Sequence, residues 1–219
     1  MRYYPVNLDL IGRKCLVVGG GAVGSRKVKT LLECGASVTV VSLKFSDKLY
    51  KLAQTLPLTL KGRDYRESDL DGMFLVIGAT DDGALNRRIS QDGEKRGMLV
   101  NIADRPAVCN FVLPSVVHRG HLTVAISTSG KSPAFARKLR KDLEIQFGPE
   151  YTYFLELMGR IRNRLLAAAH APEVHKPLFE RLIAGGLLEL SATGDAAKID
   201  ALLHNVLGEG FNVKELMAP

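Results

Sequence analysis

The 219-residue chain lacks the long apolar run that a membrane-spanning helix needs, since no run approaches roughly 20 residues. The stretch from Met1 to Pro5 leads into no hydrophobic segment of the signal-peptide type. Only three cysteines are present, and none form a C-x-x-C pair, so neither a disulfide framework nor a structural zinc site is indicated. We therefore expect a cytoplasmic protein without a membrane partner.

Charge of one sign is in modest excess, because 30 Lys and Arg face 23 Asp and Glu and leave a net charge of +7. The basic excess lies in the first 150 residues. It suits a polyanionic ligand or a nucleic acid, and it equally suits plain solubility. A redox-responsive DNA-binding protein is one candidate class, but no helix-turn-helix pattern is present and the chain after residue 150 is slightly acidic. We expect no nucleic-acid partner.

Short β-rich apolar runs alternate with amphipathic stretches between residues 14 and 101. This alternation is typical of a parallel sheet covered by helices. The five runs are 15–18, 38–41, 58–60, 74–77 and 99–102. The predicted fold class is α/β, with an N-terminal Rossmann-like parallel sheet followed by a β-rich dimerisation segment and a C-terminal helical domain.

The pattern changes after residue 101, where β-rich runs at 111–117 and 122–127 flank a hairpin-like connection. We expect these strands to extend the sheet or to build an interface. Ser132-Pro133 indicates an N-cap followed by proline at the first helical position. Further helices are predicted at 153–169, 177–184 and 196–207. The predicted domains are a nucleotide domain at 1–115, a dimerisation and substrate-loop segment at 116–150, and a helical domain at 151–219.

Gly19, Gly21 and Gly24 form a G-x-G-x-x-G pattern directly after the first strand and before a helix. That setting places a pyrophosphate on exposed helix N–H groups and lets the backbone approach it closely. The alternative is a tight strand-to-helix turn without a ligand. The expected acidic residue at the end of the second strand is missing. Ser42 there would suit a ribose hydroxyl and Lys44 a 2′-phosphate, so this position leaves NAD and NADP both open.

Two further strands end in polar residues at the edge where open α/β sheets bind ligands. After the fourth strand come Thr80, Asp81 and Asp82, and a cofactor contact and a helix cap are equally good explanations of these aspartates. Asp104 follows the fifth strand. Its carboxylate would be suited to act as a base beside a nicotinamide, but an aspartate two residues before proline is also a common turn former.

A second polar loop precedes the Pro133 helix and contains hydroxyls, a glycine and a lysine. These groups at a helix N-terminus suit a ligand that bears carboxylates, and an N-capped helix with a polar lead-in is the alternative. The histidines are less informative: His118 and His121 lie in a predicted turn, and His170, His175 and His204 lie in the helical tail. We expect no metal site.

Five separated motifs together resemble the precorrin-2 dehydrogenase family, the dehydrogenase and chelatase module of siroheme synthase. They are GGGAVGSRK at 19–27, GATDD at 78–82 with Asn86, NIAD at 101–104, NFVLPS at 110–115 and VAISTSGKSP at 124–133. The resemblance runs from about residue 3 to about residue 166. It implies oxidation of precorrin-2 to sirohydrochlorin with NAD as hydride acceptor and, in some members, insertion of ferrous iron as a second substrate.

The resemblance also implies roles for individual residues. Asp104 matches the family's essential carboxylate and is the expected catalytic residue. The expected cofactor-binding residues are Gly19, Gly21, Ala22, Val23, Gly24, Ser42, Thr80, Asp81, Asn86 and Asn101. The expected substrate-binding residues are Thr128, Ser129, Gly130, Lys131 and Ser132, although some relatives have serine at the position of Thr128.

A homodimer is expected because Leu155, Leu157, Ile161 and Leu165 would form an apolar surface that a helical tail alone could not hide. A different function remains open beside the enzyme. A dinucleotide-sensing regulatory protein would use the same glycines and would not need Asp104.

Overall fold

The computed structural model describes residues 2–167 and 172–218. The chain divides into two compact units, Met1–Leu113 and Pro114–Pro219. The elements of the first unit are β1 (Lys14–Gly20), α1 (Ala22–Glu33), β2 (Ser37–Phe45), α2 (Asp47–Ala53), β3 (Leu58–Lys61), β4 (Leu75–Gly78), α3 (Gly83–Lys95) and β5 (Leu99–Ile102).

The five strands of the first unit form one parallel sheet in the order β3-β2-β1-β4-β5. Successive residues of β1 enter different cores, because strand side chains alternate between the two faces. Cys15 and Val17 pack with α1 and α2 residues, whereas Leu16 and Val18 pack with Ile89 of α3. The central strand β1 is therefore buried on both faces, and all five predicted strands are confirmed.

The second unit contains β6 (Ser115–Arg119), β7 (Leu122–Ile126), α4 (Pro133–Gln146), α5 (Glu150–Ala167), α6 (Pro172–Ala184), α7 (Leu187–Thr193), α8 (Ala196–Leu207) and α9 (Val213–Leu216). β6 and β7 pair antiparallel as a separate two-stranded sheet. Gly120 turns the chain between them with φ of +58°. Of the two expectations for these strands, extension of the parallel sheet is wrong, and an interface stays a prediction. Ser132 caps α4 by accepting a hydrogen bond from the Phe135 N–H, as predicted.

The C-terminal helices build a core of their own. Leu157, Ile161 and Leu165 of α5 are buried together with residues of α6, α7 and α8. The predicted apolar surface on α5 is thus wrong, because neighbouring helices cover it. The helix predicted at 177–184 begins instead at Pro172, so Pro177 lies inside α6. The end of the helix predicted at 153–169, and His170, lie outside the described residues.

The predicted α/β class, with its small β segment and helical C-terminal region, is confirmed by this architecture. The structure shows two compact units, and the predicted division into three domains stays a prediction. Three helices have no counterpart among those predicted: α2, α7 and α9. Short length explains their weak sequence signal, since each has at most 7 residues. No helix within the described ranges has both the length and the apolar character needed to cross a bilayer.

Candidate dinucleotide-binding site

A cavity of about 720 Å³ opens at the carboxyl ends of β1, β2 and β4. The strand order reverses between β1 and β4, which is where open α/β sheets bind their ligands. The cavity is lined by Val18, Gly19, Gly20, Gly21, Ala22, Val23, Val41, Ser42, Leu43, Lys44, Phe45, Ser46, Arg63, Asp64, Tyr65, Ala79, Thr80, Asp81, Asp82 and Leu85. Among the predicted cofactor residues, the structure brings together all except Gly24, Asn86 and Asn101.

The three glycines of the first motif are required for different reasons. A Cβ at Gly19, whose φ is +114°, would collide with the carbonyl oxygen of Ala79, and a Cβ at Gly24 would collide with the carbonyl oxygen of Gly19. Gly21 has no atom within 4 Å of where its Cβ would be. Gly19 and Gly24 thus allow the loop to pack, whereas Gly21 leaves open space beside the cavity.

The N-terminus of α1 fits a pyrophosphate. Gly21 is its N-cap and provides no side-chain hydrogen bond, and the first turn contains no acidic residue. The first backbone N–H groups of α1 therefore have no capping side chain to accept their hydrogen bonds, and they are suited to binding an anion. Lys27 is half-buried further along α1. Burial lowers the pKa of its ammonium, with Arg26 acting in the same direction and Asp104 in the opposite one.

The loop after β4 is held by a buried asparagine. Asn86 of α3 is 3% exposed, and its Nδ2 donates to the Thr80 carbonyl at 2.8 Å while its Oδ1 accepts from the Thr80 hydroxyl at 2.9 Å. Asp82 accepts hydrogen bonds from the Ala84 and Leu85 N–H groups and caps α3. Asn86 therefore supports the cavity wall from behind, and Asp82 is the helix cap that its position allowed.

Sequence reasoning missed the loop after β3, which contributes Arg63, Asp64 and Tyr65 to the cavity. Two nitrogens of the Arg63 guanidinium donate to the buried Asp69 carboxylate at 2.8 and 2.5 Å. Hydrogen bonding by Arg63 is the main reason that the pKa of Asp69 is lowered to about 2. Open α/β sheets bind ligands at the carboxyl ends of their strands, and this rule, applied above to β4 and β5, would also have pointed to the residues after β3.

Asp104 follows β5 in a left-handed conformation, with φ of 59°, and is exposed. The buried Cys109 closes its loop: the Sγ accepts from the Ile102 N–H at 3.1 Å and lies 3.2 Å from the Arg105 carbonyl oxygen, to which it donates. Asn101 is also buried and donates to the Phe111 carbonyl at 3.0 Å. Neither Asp104 nor Asn101 lines the cavity, and their predicted roles stay predictions.

The second polar loop connects β7 to α4 in the second unit. Local hydrogen bonds shape it: the Thr128 hydroxyl accepts from the Ser132 N–H, and the Ser127 hydroxyl accepts from the Ser129 N–H, each at 3.2 Å. Ser129 and Gly130 have positive φ values of 51° and 80°. Lys131 is exposed and forms no ion pair with any residue the structure describes. The predicted substrate-binding residues thus share one turn, in which Ser129, Gly130 and Lys131 are exposed.

The histidines of the hairpin do not meet. The His118 ring lies 3.2 Å from the Thr123 hydroxyl, and the His121 ring lies 3.3 Å from the Glu156 carboxylate. Across residues 2–167 and 172–218, no group of three or more His, Cys, Asp or Glu side chains is arranged to hold a metal ion.

The fold and the cavity define a dinucleotide-binding domain of the Rossmann class. The model of an NAD(P)-binding family matches residues 6–115, and that of the central part of a sirohaem biosynthesis protein matches residues 119–146. The chain belongs to this NAD(P)-binding family, and the resemblance to the precorrin-2 dehydrogenase family is confirmed.

Three known proteins illustrate the similarity. The chain is 35% identical to siroheme synthase of Nitrosococcus oceani over 96% of its own length, and 37% identical to siroheme synthase 1 of Klebsiella pneumoniae over 94%. It spans only 45% and 44% of those two relatives. A solved structure of SirC, precorrin-2 dehydrogenase, is 29% identical and superimposes with a TM-score of 0.79, covering 93% of this chain and 98% of that one.

Proposed function

We propose that the protein oxidises precorrin-2 to sirohydrochlorin with NAD as the hydride acceptor. The observation that carries the proposal is the uncapped N-terminus of α1 beside the open space at Gly21. It belongs to a chain that is similar to SirC, precorrin-2 dehydrogenase, over nearly the full length of both. A cytoplasmic location suits the three cysteines, all of which are free thiols.

The oxidation removes two electrons and two protons from the macrocycle. NAD, when bound, takes one hydride. The backbone N–H groups at Gly21 and Ala22 would hold the pyrophosphate, and the Asn86-supported loop at Thr80 forms the adjoining wall. The Asp104 carboxylate accepts the remaining proton and stabilises the positive charge left on the macrocycle. The Cys109 hydrogen bonds keep the Asp104 loop in its left-handed turn.

The loop of Thr128, Ser129, Gly130, Lys131 and Ser132 is proposed to bind carboxylates of the tetrapyrrole. Two features support this role: the exposed Lys131 ammonium, and the hydroxyl-rich turn that leads into the N-terminus of α4. Charge-assisted hydrogen bonds from such groups are roughly twice as strong as neutral ones. The substrate's several carboxylates match this donor-rich turn.

Ferrous iron is a second proposed substrate, inserted into sirohydrochlorin with Asp104 as the proton acceptor for the pyrrole N–H groups. Insertion requires a base rather than a permanent multi-ligand site. The two activities would then share one carboxylate, and an Asp104 variant should lose both.

A homodimer is also proposed, on a basis that differs from the α5 surface. Val116, Phe135 and Ile145 are large apolar residues of the second unit that are 40%, 55% and 85% exposed. The two-stranded sheet has unpaired edges, which are suited to pairing with a second copy of the chain. Light scattering should give twice 23.9 kDa at micromolar concentration, and a monomer mass would contradict the proposal.

The function is tested by mixing the protein with precorrin-2 and NAD and following absorbance. We expect the spectrum of sirohydrochlorin to appear together with absorbance of the reduced dinucleotide. A protein that binds NAD but produces neither signal would be the dinucleotide-sensing alternative. The same assay with sirohydrochlorin and ferrous iron reports the insertion step separately.

A further inference from the structure

The adenosine end of the cavity lacks the acidic residue that usually ends the second strand. In dinucleotide-binding folds, an Asp or Glu there accepts hydrogen bonds from the ribose hydroxyls, whereas a basic group accommodates the 2′-phosphate of NADP. Here Ser42 and Lys44 of β2 occupy that part of the cavity wall. Taken alone, the charge of Lys44 would favour NADP.

The neighbouring strand supplies a carboxylate to the same wall. β3 pairs with β2, with Lys61 opposite Val41, and so the loop after β3 reaches the edge at which β2 ends. This loop places Asp64 in the lining of the cavity that Ser42 and Lys44 also line. An acid is therefore present at the adenosine end, but it comes from the third strand.

Asp64 and Arg63 differ in whether their charged groups already have partners within the protein. The Arg63 guanidinium is bound to the buried Asp69 by two hydrogen bonds, and Lys61 also forms an ion pair with Asp69. The Asp64 side chain is exposed and has no hydrogen bond or ion pair with any described residue, while its carbonyl accepts from Arg63 at 2.9 Å. The loop is thus held by its neighbours, and the Asp64 carboxylate is the free acceptor.

We propose that Asp64 accepts hydrogen bonds from the adenosine ribose hydroxyls and makes the site prefer NAD to NADP. This rests on the proposed function only in that a dinucleotide occupies the cavity. A ribose with free hydroxyls donates to the carboxylate, whereas a 2′-phosphate places two further negative charges beside it. The like charges repel, and Lys44 offsets only part of that repulsion.

The test measures binding of NADH and NADPH to the full chain by fluorescence, without substrate. Asp64→Asn removes the charge and keeps the size, and we expect the NADH-to-NADPH affinity ratio to fall by roughly 10- to 100-fold, the range for a hydrogen bond to a charged group. Asp64→Glu should keep the wild-type preference. Lys44→Ala should move the ratio in the opposite direction. Asp47→Asn is the matched control for net charge, since Asp47 follows Ser46 but does not line the cavity.

Each outcome bears on one claim. An unchanged ratio in Asp64→Asn, with normal NADH binding and an unchanged melting temperature, would overturn the role of Asp64. An equal ratio change in Asp47→Asn would show that overall charge, and not Asp64, sets the preference. Failure of the wild-type protein to bind either dinucleotide would overturn the proposed function and this inference with it.

Discussion

Two loops of this protein suit anions by different means. The glycine loop between β1 and α1 offers backbone N–H groups, and its useful feature is a missing side chain at Gly21. The loop between β7 and α4 offers side chains, namely the Thr128 hydroxyl and the Lys131 ammonium. A backbone site is sensitive to added atoms, whereas a side-chain site is sensitive to changed charge.

The two loops also differ in what holds them. The cavity around the glycine loop is supported by buried polar residues from distant parts of the chain, among them Asp69 and Asn86. The second loop is shaped by hydrogen bonds that span at most four residues. The first therefore depends on tertiary packing and the second mainly on its own sequence. Four experiments test this contrast between the two loops.

The largest effect is expected from Asp104→Asn, which separates the chemistry from binding at either loop. The variant keeps the size of the side chain but removes the proton acceptor. We expect turnover of precorrin-2 to fall by roughly 10²–10⁴-fold while NAD and tetrapyrrole binding stay unchanged. Steady-state kinetics and titrations with each ligand measure this. Wild-type turnover in the variant would remove Asp104 from the mechanism.

Gly21→Val should abolish most NAD binding without unfolding the protein. A Cβ at this position meets no protein atom within 4 Å, and the valine side chain enters the space proposed for the pyrophosphate, so affinity should fall by about 100-fold, or about 3 kcal/mol. Gly24→Ala is the contrasting variant, because its Cβ would collide with the backbone and lower the melting temperature. If Gly21→Val binds NAD normally, the pyrophosphate lies elsewhere.

Asp69→Asn tests the distant support of the cavity. Loss of the charged partner of Arg63 should lower the free energy of unfolding by about 2 kcal/mol at pH 7, measured with urea. Because the pKa of Asp69 is lowered to about 2, its stabilisation is complete above the unfolded-state pKa of about 4 and disappears as pH falls through 2. The gap between variant and wild type should therefore narrow below pH 4.

The control for that experiment is Asp71→Asn. Asp71 also pairs with an arginine, Arg96, but its side chain is 67% exposed. An exposed ion pair contributes about 0–1 kcal/mol, so this variant should lose little stability at any pH. Equal losses in the two variants would contradict the distinction between buried support and surface pairing.

Lys131→Glu should have the smallest effect. We expect tetrapyrrole affinity to fall by about tenfold, NAD affinity to stay constant, and added salt to weaken wild-type binding in the same way. Lys138→Glu on α4 offers a comparison, since Lys138 already pairs with Asp142 at 2.7 Å. Equal losses in both variants would indicate general charge attraction to α4 instead of a site at the loop.

Much of the first unit could be predicted from sequence because its strands are apolar runs and its glycines follow one of them. The capped start of α4 was equally readable from Ser132-Pro133. The predicted apolar surface on α5 was wrong because it depends on helices that are distant in the sequence. Leu157 and Ile161 look like an exposed stripe until α7, a helix of 7 residues between two left-handed glycines, is known to pack against them.

The individual strands, the glycine loop and the capped second loop could all be predicted from the sequence, since each is encoded by residues within a few positions of one another. The packing of the elements then separates the polar residues that line the cavity, such as Asp64, from those that support its wall, such as Asn86. Asp64 reaches the wall because β3 lies beside β2, and the buried Asn86 and Cys109 side chains form hydrogen bonds that hold neighbouring loops. Such assignments depend on contacts between chain segments that local patterns do not describe, because packing and hydrogen-bond satisfaction are settled only when the elements meet.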